Sequence, residues 1–167
     1  LQELGIEQIV VTSGGALVWI NGLIVVQKSL TIEQTRKIIE LGQQYDTGFF
    51  VDQPAITWKF GNPQFIKMYE HVSSAIPLDE IDAVFDTLPI KISLIQERAS
   101  LLQLQQQLHL AQPDLHTTFP FEHVLDINQL GANKGAALIW LADKLGLSMN
   151  NVAAIGDSEN DVSMLNV

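Results

Sequence analysis

The chain has 167 residues, 47% hydrophobic and 17% charged, a composition that excludes a disordered chain and leaves room for one sizeable core or two small ones. Its formal net charge of -10 repels phosphate backbones and anionic membrane surfaces; no local basic patch offsets it, so neither nucleic acid nor membrane is an expected partner. Cysteine is absent, which rules out disulfides and thiolate metal sites and suits a reducing cytoplasm.

The start, Leu1-Gln2-Glu3-Leu4, carries no basic region or small-residue cleavage pattern, so no signal peptide is expected. The missing initiator methionine points to a processed, trimmed or incompletely represented chain. Ile9 to Val26 contains no charged residue and formally invites a membrane span. Gly14-Gly15 and Asn21-Gly22 cut that run into strand-length pieces, and Asn-Gly between β-branched runs is a hairpin signal. The expected elements are therefore a strand Gln8 to Thr12, a glycine turn, and a hairpin of Leu17 to Ile20 with Leu23 to Gln27, in which Trp19 packs.

A helix is predicted from Thr31, whose capping-box partner is Gln34, with Ile32, Ile38, Ile39 and Leu41 on one broad face. Strands follow at Phe49 to Val51 and Ala55 to Phe60, then a helix from Pro63 to about Ser73 with Phe65, Ile66 and Tyr69 at helical spacing. The acidic residues Asp79, Glu80, Asp82 and Asp86 lack the ligand spacing and central glycine of a calcium loop and read as a solvated face. Ile90 to Ile95 alternates as a strand. Glu97 to Leu110 is an amphipathic helix with Leu101, Leu104 and Leu108 on its core side. His109 and His116 share no metal spacing with a carboxylate. Leu115 to Phe119 and His123 to Ile127 complete the strands of the middle section.

Asn133-Lys134-Gly135 opens a further helix with Ala137, Leu138, Leu141 and Leu145 on one face and Gly146 after its end. Lys134 in the first turn opposes the helix macrodipole at a cost of roughly 0.3–1 kcal/mol, so it is either an exposed lysine in water or one that has an anion to meet. Val152 to Ile155 reads as a short apolar strand, followed by Gly156 and by Asp157 and Asp161 where a helix begins. Two carboxylates at a strand end suit Mg²⁺, which takes oxygen ligands and fills its shell with water and phosphate. The same residues also read as a capping box of Ser158 and Asp161. A lysine and two carboxylates brought to one sheet edge describe a metal-assisted phosphate site.

Asp126-Ile127-Asn128, Lys134-Gly135, and Gly156-Asp157-Ser158-Glu159-Asn160-Asp161 with Met164-Leu165 resemble the third and fourth motifs of the haloacid dehalogenase superfamily, in its Cof-like branch of phosphatases with a large α/β cap. Thr12-Ser13-Gly14-Gly15-Ala16 is similar to that branch's segment after the third core strand, with Gly14 where an asparagine is usual. The family's first motif, Asp-x-Asp, which supplies nucleophile and general acid, is nowhere in the chain. The resemblance implies an α/β fold: a partial doubly wound, Rossmann-like core of residues 1–29 and 129–167, with an inserted α+β cap of residues 30–128 whose helices lie on one face of a largely antiparallel sheet.

It further implies a Mg²⁺-dependent phosphatase acting on a small phosphorylated metabolite such as a sugar phosphate, through an aspartyl-phosphate intermediate. Lys134 is the implied catalytic and substrate-binding cation, Asn160 a hydrogen-bond donor to phosphate, and Asp157 a Mg²⁺ ligand. Asp161 supports the metal shell or pairs with Lys134. A phosphomutase shares this chemistry, and without the first motif a non-catalytic binding module is the alternative from another class. Substrate choice and oligomeric state follow from no motif here.

Overall fold

The computed structural model describes residues 9–69 and 74–167. Its first sheet is an antiparallel meander of β1 (Ile9–Thr12), β2 (Leu17–Ile20) and β3 (Leu23–Gln27). The turn between β2 and β3 places Asn21 and Gly22 both at positive φ, 52° and 81°, the geometry whose twist matches a two-residue hairpin. Gln8, expected to open β1, lies outside the described residues.

The second sheet has six strands: β4 (Gly48–Asp52), β5 (Thr57–Gly61), β6 (Ile76–Pro77), β7 (Lys91–Ile95), β8 (Leu115–Phe121) and β9 (Val124–Gln129), in spatial order β6-β5-β4-β7-β9-β8. Every pairing is antiparallel except β5 with β6. Strand alternation gives its two faces opposite characters. Phe49, Val51, Ile92, Leu94, Leu125 and Ile127 point to one side, where they form the main core with α1 (Ile32–Gln44) and α3 (Arg98–Ala111). Leu101, Leu104 and Leu108 of α3 are fully buried there, as their spacing predicts. The capping box of α1 forms as expected: Gln34 N–H donates to Thr31 Oγ1 and Thr31 N–H to Gln34 Oε1. Asp79, Glu80, Asp82 and Asp86 are exposed, so the solvated-face reading holds.

Two expectations fail. Helices do not keep to one face of the sheet: α2 (Pro63–Tyr69) packs its Phe65 with Phe50, Ile95 and Val124 on the other. Those three strand residues make one end of that face apolar, and an apolar patch on a sheet needs a cover. The end of the helix predicted to reach Ser73 falls outside the described residues. Val152 to Ile155 is not a strand. No described strand offers it backbone partners, and Ile155 is 93% exposed.

The first sheet is tied to the second by Asn128, whose Nδ2 donates to the carbonyls of Ser13 (3.0 Å) and Ile90 (2.9 Å), and by Lys28 Nζ, which donates to Gly131 O at 2.6 Å. Ala16, Leu17, Ile90 and Ala132 form the small core between them, with Trp19 packed against it. Helix α4 (Lys134–Lys144) follows directly. Gly15, at φ +99°, sits so close to the start of α4 that a Cβ there would lie 2.3 Å from the Asn133 carbonyl.

Candidate active site

Asn133 is the N-cap of α4, its Oδ1 accepting the Ala136 N–H at 2.8 Å, and this fixes Lys134 as the first helical residue. Gly135 lets the segment carrying α5 (Val162–Leu165) approach: a Cβ on it would lie 2.2 Å from Ser163 O, and its N–H donates to Ser163 Oγ. The loop of residues 156–161 is thereby held against the first turn of α4. Lys134 Nζ donates to Asn160 Oδ1 at 2.8 Å and to Asp161 Oδ1 in a short contact. The lysine at the unfavourable end of its helix has met its anion.

Asp161 is committed on both oxygens. Its Oδ2 accepts the backbone N–H groups of Asp157 (3.2 Å) and Ser158 (3.1 Å), and Ser158 Oγ lies 2.9 Å from it. The Lys134 ammonium and these donors outweigh burial and hold its carboxyl well below the ordinary carboxylate range. Asp161 is thus the lysine's partner and a cap of the loop. Gly156 makes room for it, since a Cβ there would stand 2.3 Å from Asp161 Cβ.

Asp157 is exposed, lines the same cavity, and has no side-chain hydrogen-bond partner among the described residues. No cluster of three or more acidic or histidine side chains suitable for a metal occurs among the described residues. One uncommitted carboxylate still fits Mg²⁺, a cation that usually takes one or two protein carboxylates and completes its octahedron with water and phosphate.

The cavity, about 940 Å³, lies between this loop and the face of the six-stranded sheet away from the main core, where Asp52, Lys91, Ser93 and Asp126 adjoin the apolar Phe50, Ile95 and Val124. That far wall was not foreseen. Lys91 Nζ sits 3.3 Å from Asp52 Oδ2 and 3.5 Å from Asp126 Oδ2, and Ser93 Oγ donates to Asp126 Oδ1. A signal for it exists in the alternation of Lys91-Ile92-Ser93-Leu94, which puts Lys91 and Ser93 opposite the core, but the same pattern describes a face in water. Glu159 was also missed: its Oε2 accepts the Phe119 N–H of β8 at 3.2 Å and so fastens the loop to the sheet. His109 and His116 stand outside the site. Burial, with His109 adding to it, pushes the His116 imidazole below its usual value, against the opposing pull of Glu159.

Lys134 in the first turn of its helix, paired to Asp161 and beside the free carboxylate of Asp157, thus stands on the wall of one cavity with both acids. All 167 residues match the haloacid dehalogenase-like hydrolases, and the chain belongs to that family. It is 24% identical over 165 residues to the 5-amino-6-(5-phospho-D-ribitylamino)uracil phosphatase of Bacillus subtilis, covering 98% of this chain and 59% of that protein. An HMP-PP phosphatase of Escherichia coli is 32% identical over 130 residues, 75% of this chain and 47% of that one. Among solved structures, a sugar phosphatase of haloacid dehalogenase subclass IIB superposes with a TM-score of 0.84 at 14% identity, over 99% of this chain and 63% of that chain. The chain therefore spans roughly half to two thirds of the length of these relatives.

Proposed function

We propose that the protein is a Mg²⁺-dependent phosphatase of small phosphorylated metabolites, working through an aspartyl-phosphate intermediate. The observation that carries this is the Lys134 ammonium held between Asn160 and Asp161 on the wall of a cavity that Asp157 also lines. The relatives' names point the same way: one acts on a phosphorylated ribityl compound and one structural neighbour is a sugar phosphatase.

In this reading Asp161 and Asn160 hold Lys134 Nζ in place, so that Lys134 offsets negative charge on the oxygens of the transferring phosphoryl group. Lys134 donates no proton to the leaving group. Asn160 Nδ2 is left to donate to a phosphate oxygen, because its Oδ1 is the atom that faces Lys134. Asp157 holds the cation, which when bound supplies charge neutralisation and orients phosphate. The nucleophile and general acid are assigned to no residue here, since no Asp-x-Asp occurs in the sequence. Residues 30–128 act as a cap over residues 1–29 and 129–167, and the absence of cysteine fits a cytoplasmic setting.

The test is phosphate release from 4-nitrophenyl phosphate by the full-length gene product. Asp157→Asn is expected to lower turnover about a hundredfold or more, in line with loss of one preorganised charge-stabilising group. Full activity in excess chelator would refute the reading.

A further inference from the structure

The cavity wall facing Lys134 is built to a pattern that the main core does not require. Asp52 on β4 stands opposite Lys91 on β7, and Asp126 on β9 stands opposite Ser93 and diagonal to Lys91, while their strand neighbours Val51, Ile92 and Ile127 fill the core on the other face. Their side chains are only 21%, 19% and 10% exposed, so they are not a solvated surface. Ser93 donates to Asp126 Oδ1 at 2.5 Å and Thr57 to Asp52 Oδ1 at 2.9 Å, which fixes both carboxylates in place. Burial works to lower the Lys91 pKa, but Asp126 and Asp52 outweigh it and raise the value above the ordinary one. The row therefore carries two carboxylates against one ammonium, a net charge of -1.

Ser13 Oγ also donates to Asp52 Oδ2, at 3.4 Å. Each carboxylate has about four lone-pair sites, so these contacts and that of Lys91 still leave acceptor capacity on both. A wall of fixed acceptors with net negative charge favours hydroxyl and amine donors and opposes a second anion. We propose that Asp52, Lys91, Ser93 and Asp126 form the specificity wall for the leaving group, selecting phosphomonoesters whose leaving group is uncharged or cationic and rich in hydroxyl or amine donors, and rejecting those that carry a further anionic group. This rests on the phosphatase reading only for what the opposite wall holds.

Isothermal titration of the 167-residue chain in Mg²⁺ with sorbitol 6-phosphate and with 6-phosphogluconate tests it, because the two ligands differ in a hydroxymethyl against a carboxylate. Sorbitol 6-phosphate is expected to bind about tenfold or more tightly, as like-charge juxtaposition penalises the other. Asp126→Asn and Asp52→Asn each remove one negative charge, and each is expected to bring the ratio within about threefold. Equal affinities in the wild type, failure of both ligands to bind, or an unchanged ratio in variants shown folded by thermal melting would overturn the proposal and leave the row as an ion-pair tie between strands. The wild-type ratio decides even if a variant fails to fold. Because binding is read without turnover, an inactive full-length enzyme strikes the phosphatase reading alone.

Discussion

At the scale of single residues, Asp161 links loop geometry to the charge of Lys134. Its side chain is 7% exposed and that of Lys134 31% exposed, so loss of the carboxylate charge leaves a half-covered cation with weaker partners. Asp161→Asn is expected to reduce unfolding free energy by about 1.5–3 kcal/mol, the worth of a hydrogen bond to a charged group, as read by denaturant melts. The pH dependence has a definite sign. A carboxyl whose folded pKa lies below its ordinary 3.8 adds stability that is full above that value and disappears as pH falls through the lower folded value. Wild type should therefore lose more stability than Asp161→Asn on acidification below about pH 4. Equal acid sensitivity of the two proteins would contradict the pairing.

Secondary-structure elements were legible where a local rule dictates them. Asn21-Gly22 set the β2–β3 hairpin, Thr31 and Gln34 set the start of α1, and leucine spacing set the buried side of α3. Val152 to Ile155 shows the opposite case, since an apolar run becomes a strand only when a neighbour supplies backbone partners. Glycine spacing in the motifs gains its meaning only in three dimensions: Gly156 and Gly135 are close-approach positions, against Asp161 and against the Ser163 carbonyl. Gly135→Ala is expected to push α5 and its loop away from Lys134, because the obstructing atom is backbone and cannot rotate aside. Overpacking of this kind costs about 1–3 kcal/mol, readable as a lower melting temperature. An unchanged melt would show that the segment accommodates the methyl group.

For the whole molecule, the Lys134–Asp161 pairing was readable because both residues lie in short motifs, whereas the Asp52–Lys91–Asp126 row joins residues from three strands and emerges only through sheet register. Sequence alternation places such residues on a face without saying what stands opposite it. The six-stranded sheet and the two helices on its main-core face hold most of the fully buried side chains among the described residues, so hydrogen exchange should be slowest in β7 and β9. Residues 152–157, in no described strand and largely exposed, should exchange fast; better protection there than in β7 and β9 would contradict residues 30–128 as the compact unit.

The phosphate-handling role of Lys134 is tested most directly by phosphate release from 4-nitrophenyl phosphate in Mg²⁺, comparing the full-length gene product with its Lys134→Met variant and with the 167-residue chain. The 167-residue chain should show little or no turnover, because on the proposed mechanism it has no first-motif aspartate to attack phosphorus. Lys134→Met keeps the length of the side chain while removing its charge, and the expected result is a loss of about 10²–10³ in turnover. Turnover of the variant equal to that of the wild type would contradict the assignment of Lys134 as the group that stabilises the transferring phosphoryl.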